Sequence, residues 1–311
     1  MKIIGNTEFD FIGKKKISFV ISAIIAVIGI IAIVQIARNA ANMGIDFTGG
    51  TSVQLKFSQP VEMEEARDAL IRHNLKEASL QEMKDGNRLL IKVGKSRLTF
   101  GDVADTIKGV FTKEFPANDF IVESSIEVGP AIGDKLKKDT LIAVVISMIG
   151  IVLYIAWRFD FKFGVSATIA TLHDVLAMFA VFYLMGKEIN LLFITAVLTI
   201  AGYSLTDTVV VFDRIRENMR KGLDKSLPEV FNNSINQVLS RTIITSLTTF
   251  LAASSLYLFG GEVIHDFAFA LVIGIVVGTY SSIFIASPLV LQWETKSNST
   301  SVRVPLKKDP V

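Results

Sequence analysis

Six apolar runs, Ile17–Ile36, Thr140–Trp157, Phe163–Met185, Ile189–Phe212, Thr242–Phe259 and Phe267–Leu291, leave this chain few ways to fold. Each approaches the roughly 20 residues that a helix needs to cross a hydrocarbon core about 30 Å thick. Lipid offers the backbone no hydrogen bonds, so such runs are read as spanning helices. The first run follows Lys14, Lys15 and Lys16 as a signal peptide would, but it is too long, and no small-residue cleavage site is evident after it.

Charge placement orients these spans. Lys2 and Lys14–Lys16, then Arg158 and Lys162, then Arg214, Arg216, Arg220, Lys221, Lys225 and Arg241, then Lys296, Arg303, Lys307 and Lys308 all fall on one side; the two short loops opposite carry only Lys187. Basic loops stay in the cytoplasm, so both termini are expected there. The expected division is a cytoplasmic segment 1–16, a first span 17–36, an extracytoplasmic domain 37–138, spans two to six in 139–292 with a cytoplasmic loop 213–240, and a cytoplasmic tail 293–311.

The extracytoplasmic segment predicts an α+β domain. Thr51–Phe57 alternates as a strand does, and Val61–His73 carries a helical apolar pattern after Pro60. Ser79–Met83 and Arg88–Val93 are strands joined by a hairpin-type turn at Asp85-Gly86-Asn87. Thr99–Phe115, with Thr99 as N-cap, is a second helix, and Phe120–Val128 a last strand. The order β-α-β-β-α-β is that of a ferredoxin-like fold. The fold class is therefore a six-span α-helical membrane protein with one such domain.

Polar groups inside the spans are the candidate site. Asp207 lies in the fourth, in Gly202-Tyr203-Ser204-Leu205-Thr206-Asp207-Thr208. A mid-membrane carboxylate costs roughly 2.5–3.5 kcal/mol on insertion scales, so it faces protein or water and suggests proton or ion handling. The plainer alternative is a hydrogen-bonded carboxylate that only specifies packing. Tyr203, Thr206 and Asp207 share one helical face. His173-Asp174, halfway along the third span, reads as a proton-relay position or as a polar cross-link between helices. Arg241, at the start of the hydroxyl-rich fifth span with Thr242, Thr245 and Ser246, is either a snorkelling anchor or a counter-charge for a carboxylate. Phe9-Asp10-Phe11 and Phe159-Asp160-Phe161 each precede a span and read as interfacial anchors.

Cysteine is absent, which excludes thiolate chemistry, and the three histidines are too scattered for a metal cluster. No phosphate-cradling, dinucleotide, zinc-protease or serine-hydrolase motif occurs.

Four segments carry a family resemblance. Met43 to Gly50, MGIDFTGG, is similar to the signature of the SecD/SecF protein-export family, as are Val128-Gly129-Pro130 with Ile132-Gly133, GYSLTDTVVVFDRIREN (202–218) and SRTIITSLTT (240–249). One outer domain and this length resemble the smaller of the family's two branches. The resemblance implies a non-enzymatic auxiliary subunit of protein translocation, without cofactor, that uses the proton-motive force. SecD is the implied partner, in a twelve-span arrangement similar to the RND transporters. The SecYEG translocon, YajC/YidC, the unfolded exported polypeptide and the lipid bilayer are further implied contacts; nucleic acid is not. It also implies proton-pathway roles for Asp207, Arg241 and Asp174, support from His173, Tyr203, Thr206 and Thr245, and motif positions Gly44, Asp46, Gly49 and Gly50 in the outer domain. Thr206 stands where the family commonly has Asn. A half-size RND-type transporter of lipids or small molecules, or a scaffold without energy coupling, are the rival readings.

Overall fold

The structure is a computed structural model and describes residues 8–38, 41–83, 87–94, 102–221 and 226–301. The expected turn residues Asp85 and Gly86, the N-cap Thr99, and Lys2, Lys225, Arg303, Lys307 and Lys308 lie outside the described residues. The chain divides into a membrane unit and a sheet unit, the latter comprising residues 42–144 and 188–191.

In the membrane unit, six helical stretches among the described residues are long and apolar enough to cross a membrane. They are α1 (Lys15–Ala37), α5 (Pro130–Arg158), α6 (Phe161–Leu184), α7 (Leu191–Arg220), α8 (Leu227–Phe259), and α9 (Glu262–Ser281) continued by a π-helical turn (Ser282–Ala286) into α10 (Ser287–Ser301). Several helices outrun their apolar stretches. The expected loop 213–240 is helical on both sides of 221–226, because Asp213–Arg220 and Leu227–Ser240 carry paired polar groups and Pro228 falls in the first turn of its helix, where proline is tolerated. Within it, Asn218 Nδ2 donates to Ser234 Oγ at 2.9 Å and to Gln237 Oε1 at 2.9 Å, tying the two helices together. Ser226 starts α8 as its N-cap, its backbone N–H donating to Glu229 Oε2 at 2.9 Å. Both Phe-Asp-Phe segments start helices. Asp10 Oδ1 accepts from Gly13 N and Asn232 Nδ2 at 2.8 and 2.7 Å, and Asp160 is the N-cap of α6, 3.4 Å from Arg216. Of the expected aromatic anchors Phe9 and Phe161 are exposed, whereas Phe159 is core.

The sheet unit contains the short α2 (Ile45–Thr48), then β1 (Gly50–Phe57), α3 (Met63–Arg72), β2 (Ser79–Glu82), β3 (Arg88–Val93), α4 (Asp102–Glu114) and β4 (Phe120–Val128). The sheet order is β2-β3-β1-β4 with every neighbour antiparallel, as two interleaved βαβ units require. Val53, Leu55 and Phe57 face inward with Leu89, Ile91 and Val93 and meet Ala66, Ala69, Leu70, Ile107 and Phe111 from the helices. Alternation in the strands and the helical period thus converge on one core. Glu114 joins the two helices, accepting from Arg72 Nη2 at 2.6 Å and meeting His73 Nε2 at 3.0 Å. The His73 contact first, then Arg72, holds the Glu114 carboxyl below its ordinary value. A depressed folded value stabilises above the ordinary carboxylate range and is lost as pH falls through it. Glu114→Gln is therefore expected to lower the melting temperature slightly at neutral pH and to leave acid melting unchanged; melting curves at both pH values check this.

Candidate functional site within the membrane

The site is built where α7 passes α6, α8 and α9. Gly274 and Gly278 let α9 approach α7: an added Cβ would lie 2.5 Å from Ile200 and 2.9 Å from Ser204 Cβ. Small-xxx-small spacing thus becomes close packing.

Asp207 is buried at 6% exposure. Its Oδ2 accepts from Ser246 Oγ of α8 at 3.2 Å, and Ser246 Oγ accepts from Thr279 Oγ1 of α9 at 2.8 Å. Arg241, five residues before Ser246, is near enough for its charge to act on Asp207, yet no ion pair joins them among the described residues. The guanidinium is exposed, and so are Thr245, Thr248 and Thr249 on the same helix.

Asp174 is fully buried in a separate cluster. Its Oδ2 accepts from Ser204 Oγ of α7 at 2.5 Å and from Ser281 Oγ of α9 at 2.8 Å; its Oδ1 meets His173 Nδ1 at 3.2 Å. Adjacent helix positions point about 100° apart, but these two side chains turn toward each other.

The structure therefore brings together two carboxylates with serines and a threonine. Of the expected supporting groups, His173 meets Asp174, whereas Tyr203, Thr206 and Thr245 make no hydrogen bond to Asp207 among the described residues. Thr206 is exposed and its hydroxyl donates to Gly202 O at 3.2 Å; Thr245 donates to Arg241 O at 3.1 Å and Thr242 O at 2.9 Å; Tyr203 Oη is buried without a hydrogen-bond partner. Ser246, backed by Thr279, supports Asp207, and Ser204 with Ser281 supports Asp174. Ser246 belonged to a hydroxyl-rich run; nothing local marks Thr279 or Ser281 beyond their being polar in an apolar helix.

In the sheet unit the Gly44–Gly50 motif holds the segment that leads into α7. Gly44 N donates to Ile189 O at 2.9 Å, Ile189 N donates to Asn42 O at 2.8 Å, and Leu191 N donates to Asp46 Oδ2 at 3.0 Å. Lys92 pairs with Glu188. Asp46 thus accepts from an N–H at the start of α7, the helix of Asp207. A Cβ at Gly44 would lie 2.8 Å from Asn190 Cβ and 3.3 Å from Asn190 Cα, so glycine admits this segment closely.

The family model for the C-terminal part of the protein export membrane protein SecD/SecF matches residues 108–296, and that for the SecD/SecF GG motif matches residues 40–61. A protein translocase subunit SecF from Thermodesulfovibrio yellowstonii is 52% identical over 293 residues, covering 94% of this chain and 96% of the relative. A SecDF subunit from Brucella abortus is 40% identical over 260 residues, covering 83% of this chain and 34% of the relative. The crystal structure of SecDF, a translocon-associated membrane protein from Thermus, superposes with a TM-score of 0.80 at 37% identity; the match covers 93% of this chain and 39% of that one. This chain thus spans about two fifths of that fused protein. With both motifs matched, and a relative aligned over nearly its full length, the chain belongs to the SecD/SecF protein-export family.

Proposed function

We propose that this chain is the SecF-type auxiliary subunit of a bacterial Sec translocation machinery. With SecD it uses the proton-motive force across the plasma membrane to assist export through the SecYEG translocon. Both termini are cytoplasmic, the sheet unit lies outside, and unfolded polypeptide is the cargo; YajC/YidC are further neighbours. Asp207 alternates between protonated and ionised forms while Arg241 and a facing SecD helix exchange as its partners. Asp174 is the second carboxylate of the pathway.

The observation that carries this reading is the pairing of a buried Asp207 with an exposed stripe on α8, Arg241, Thr245, Thr248 and Thr249. The threonine hydroxyls are satisfied by carbonyls of their own helix, so it is the exposed Arg241 cation that calls for a covering protein in place of hydrocarbon. SecD, fused to the SecF-like part in the SecDF relatives, is that protein. One charge crossing 100 mV releases about 2.3 kcal/mol, enough to bias a two-state helix arrangement. The membrane vesicle assay tests it: translocation of a secreted precursor, initiated with ATP, is followed with and without an imposed proton gradient. Wild type is expected to gain from the gradient and Asp207→Asn to lose that gain while still co-purifying with SecD. Equal gradient response in both would leave a scaffold.

A further inference from the structure

We propose that His173 and Asp174 form a second proton-binding site and that the last turn of α9 couples it to Asp207. This rests on the proton-coupled reading of Asp207 above.

Charge balance motivates the site. Asp174 is fully buried, and the groups facing it are Ser204 of α7, Ser281 of α9 and the His173 imidazole of its own helix. Facing His173 is the Tyr280 ring, with centroids 6.3 Å apart; its hydroxyl is held by α1, donating to Ser18 O at 3.0 Å and lying 3.2 Å from Ser22 Oγ. Two neutral hydroxyls do not compensate a buried carboxylate charge. One proton does, on Asp174 itself or on His173 as the imidazolium partner of an ionised Asp174. Among the described residues His173 Nε2 is buried without a partner, so the ring has a second nitrogen available to take or release that proton.

The coupling follows from the hydroxyls. Ser281 Oγ has one hydrogen and two acceptors in reach, Asp174 Oδ2 at 2.8 Å and Gly278 O at 3.1 Å. Thr279 Oγ1 likewise chooses between Ser246 Oγ, which serves Asp207, and Ile275 O, both at 2.8 Å. When Asp174 is ionised, Ser281 donates to it. When Asp174 takes a proton, its own O–H becomes the donor, Ser281 accepts, and the Ser281 hydrogen turns to Gly278 O. Hydroxyl back-bonding of this kind bends helices. Thr279 lies on the same turn, and the π-turn Ser282–Ala286 begins one residue after Ser281. Such turns frequently mark functional sites in helices. Here it sits where a change of hydroxyl partner would alter local register.

The test is infrared difference spectroscopy of the complex with SecD in lipid vesicles, titrated by pH. The expected result is two titrating carboxyl signals, each read as the acid C=O or the carboxylate stretch, one deleted by Asp174→Asn and the other by Asp207→Asn. The Asp174 midpoint should shift by about one pH unit, a tenfold change in proton affinity, in His173→Gln and Ser281→Ala. Ser281→Thr, which keeps the hydroxyl, should restore it. The Asp174 midpoint should also move in Asp207→Asn, and should cease to respond once Thr279→Ala is added. A spectrum unchanged by Asp174→Asn, or an Asp174 band unmoved by Asp207→Asn, would overturn the proposal. Because the readout is spectroscopic, that failure is distinct from failure of the export assay, which bears on Asp207 alone.

Discussion

Gly50→Val should abolish the folded sheet unit while leaving the spanning helices inserted. Gly50 has φ +147°, and a Cβ there would lie 2.4 Å from Val93 O and 3.1 Å from Gly94 Cα, both backbone. That carbonyl belongs to β3, whose Val93 pairs with Thr51 in the ladder, so relief of the clash breaks the β1–β3 register at its end. The preceding Gly49 sits at φ +71°, with its missing Cβ 3.1 Å from Pro130 Cα, while a Cβ added at Gly133 of α5 would lie 2.9 Å from Gly49 N. Apart from the Ile45 Cγ2 methyl, 3.2 Å from the Gly50 position, the nearest described atoms at this corner are backbone. Backbone strain of this kind costs about 1–3 kcal/mol before any clash is counted, against a total of about 5–15 kcal/mol for a domain. Limited proteolysis of the membrane-embedded protein reads the outcome: the segment after α1 should be cut where the wild type resists. Gly94→Ala, where a Cβ meets nothing within 4 Å, is the control and should resist like the wild type. A Gly50→Val protein as resistant as the wild type would refute the argument.

That corner illustrates which parts of the molecule could be read from residues alone. The strands and helices of the sheet unit were legible because each has a period that points at one core: Val53, Leu55 and Phe57 by twos, Ala66, Ala69 and Leu70 by helical steps. The spans were legible because lipid permits so few alternatives. Helix ends were not. Past Phe212, α7 continues to Arg220 because polar pairs such as Asn218–Ser234 replace lipid, and no hydropathy window sees that. In the site, the ionisable residues stood out as costs in an apolar setting, but their partners did not. Ser246 rather than Thr245 meets Asp207, a difference of one position that depends on how α8 is rotated against α7 and α9. Ser281 lies 107 positions from Asp174, so only the tertiary structure joins them. Asp46 was recognisable as part of a signature, yet its contact with Leu191 N gives it a physical task that the motif alone does not disclose.

Gly29→Val should detach α1 from the rest of the membrane unit. The buried residues of α1 are Ser18, Ser22, Gly29 and Ala32, all small, while Ile17, Val20, Ile24, Val27, Ile30 and Ile31 are exposed. In hydrocarbon an isoleucine gains little by leaving lipid for protein, so helix association depends on close contact and on polar links. At Gly29 that contact is extreme: a Cβ would meet Leu176 O of α6 at 2.3 Å, its carbonyl carbon at 2.8 Å and its Cβ at 2.9 Å. A carbonyl within a helix cannot swing aside as a side-chain end can, so the helices must separate. Separation also stretches the bonds from Tyr280 to Ser18 O and Ser22 at the other end of the stripe. Overpacking in cores typically costs about 1–3 kcal/mol, and here no apolar burial elsewhere on α1 offsets it. The thermal aggregation midpoint of the detergent-solubilised protein should fall strongly for Gly29→Val and measurably for Gly29→Ala. Gly150→Ala, mid-helix in α5 with open space around the added methyl, should hold or raise it, since alanine is the better helix former by about 1 kcal/mol. Equal midpoints for Gly29→Val and wild type would mean that α1 is held by something other than this stripe.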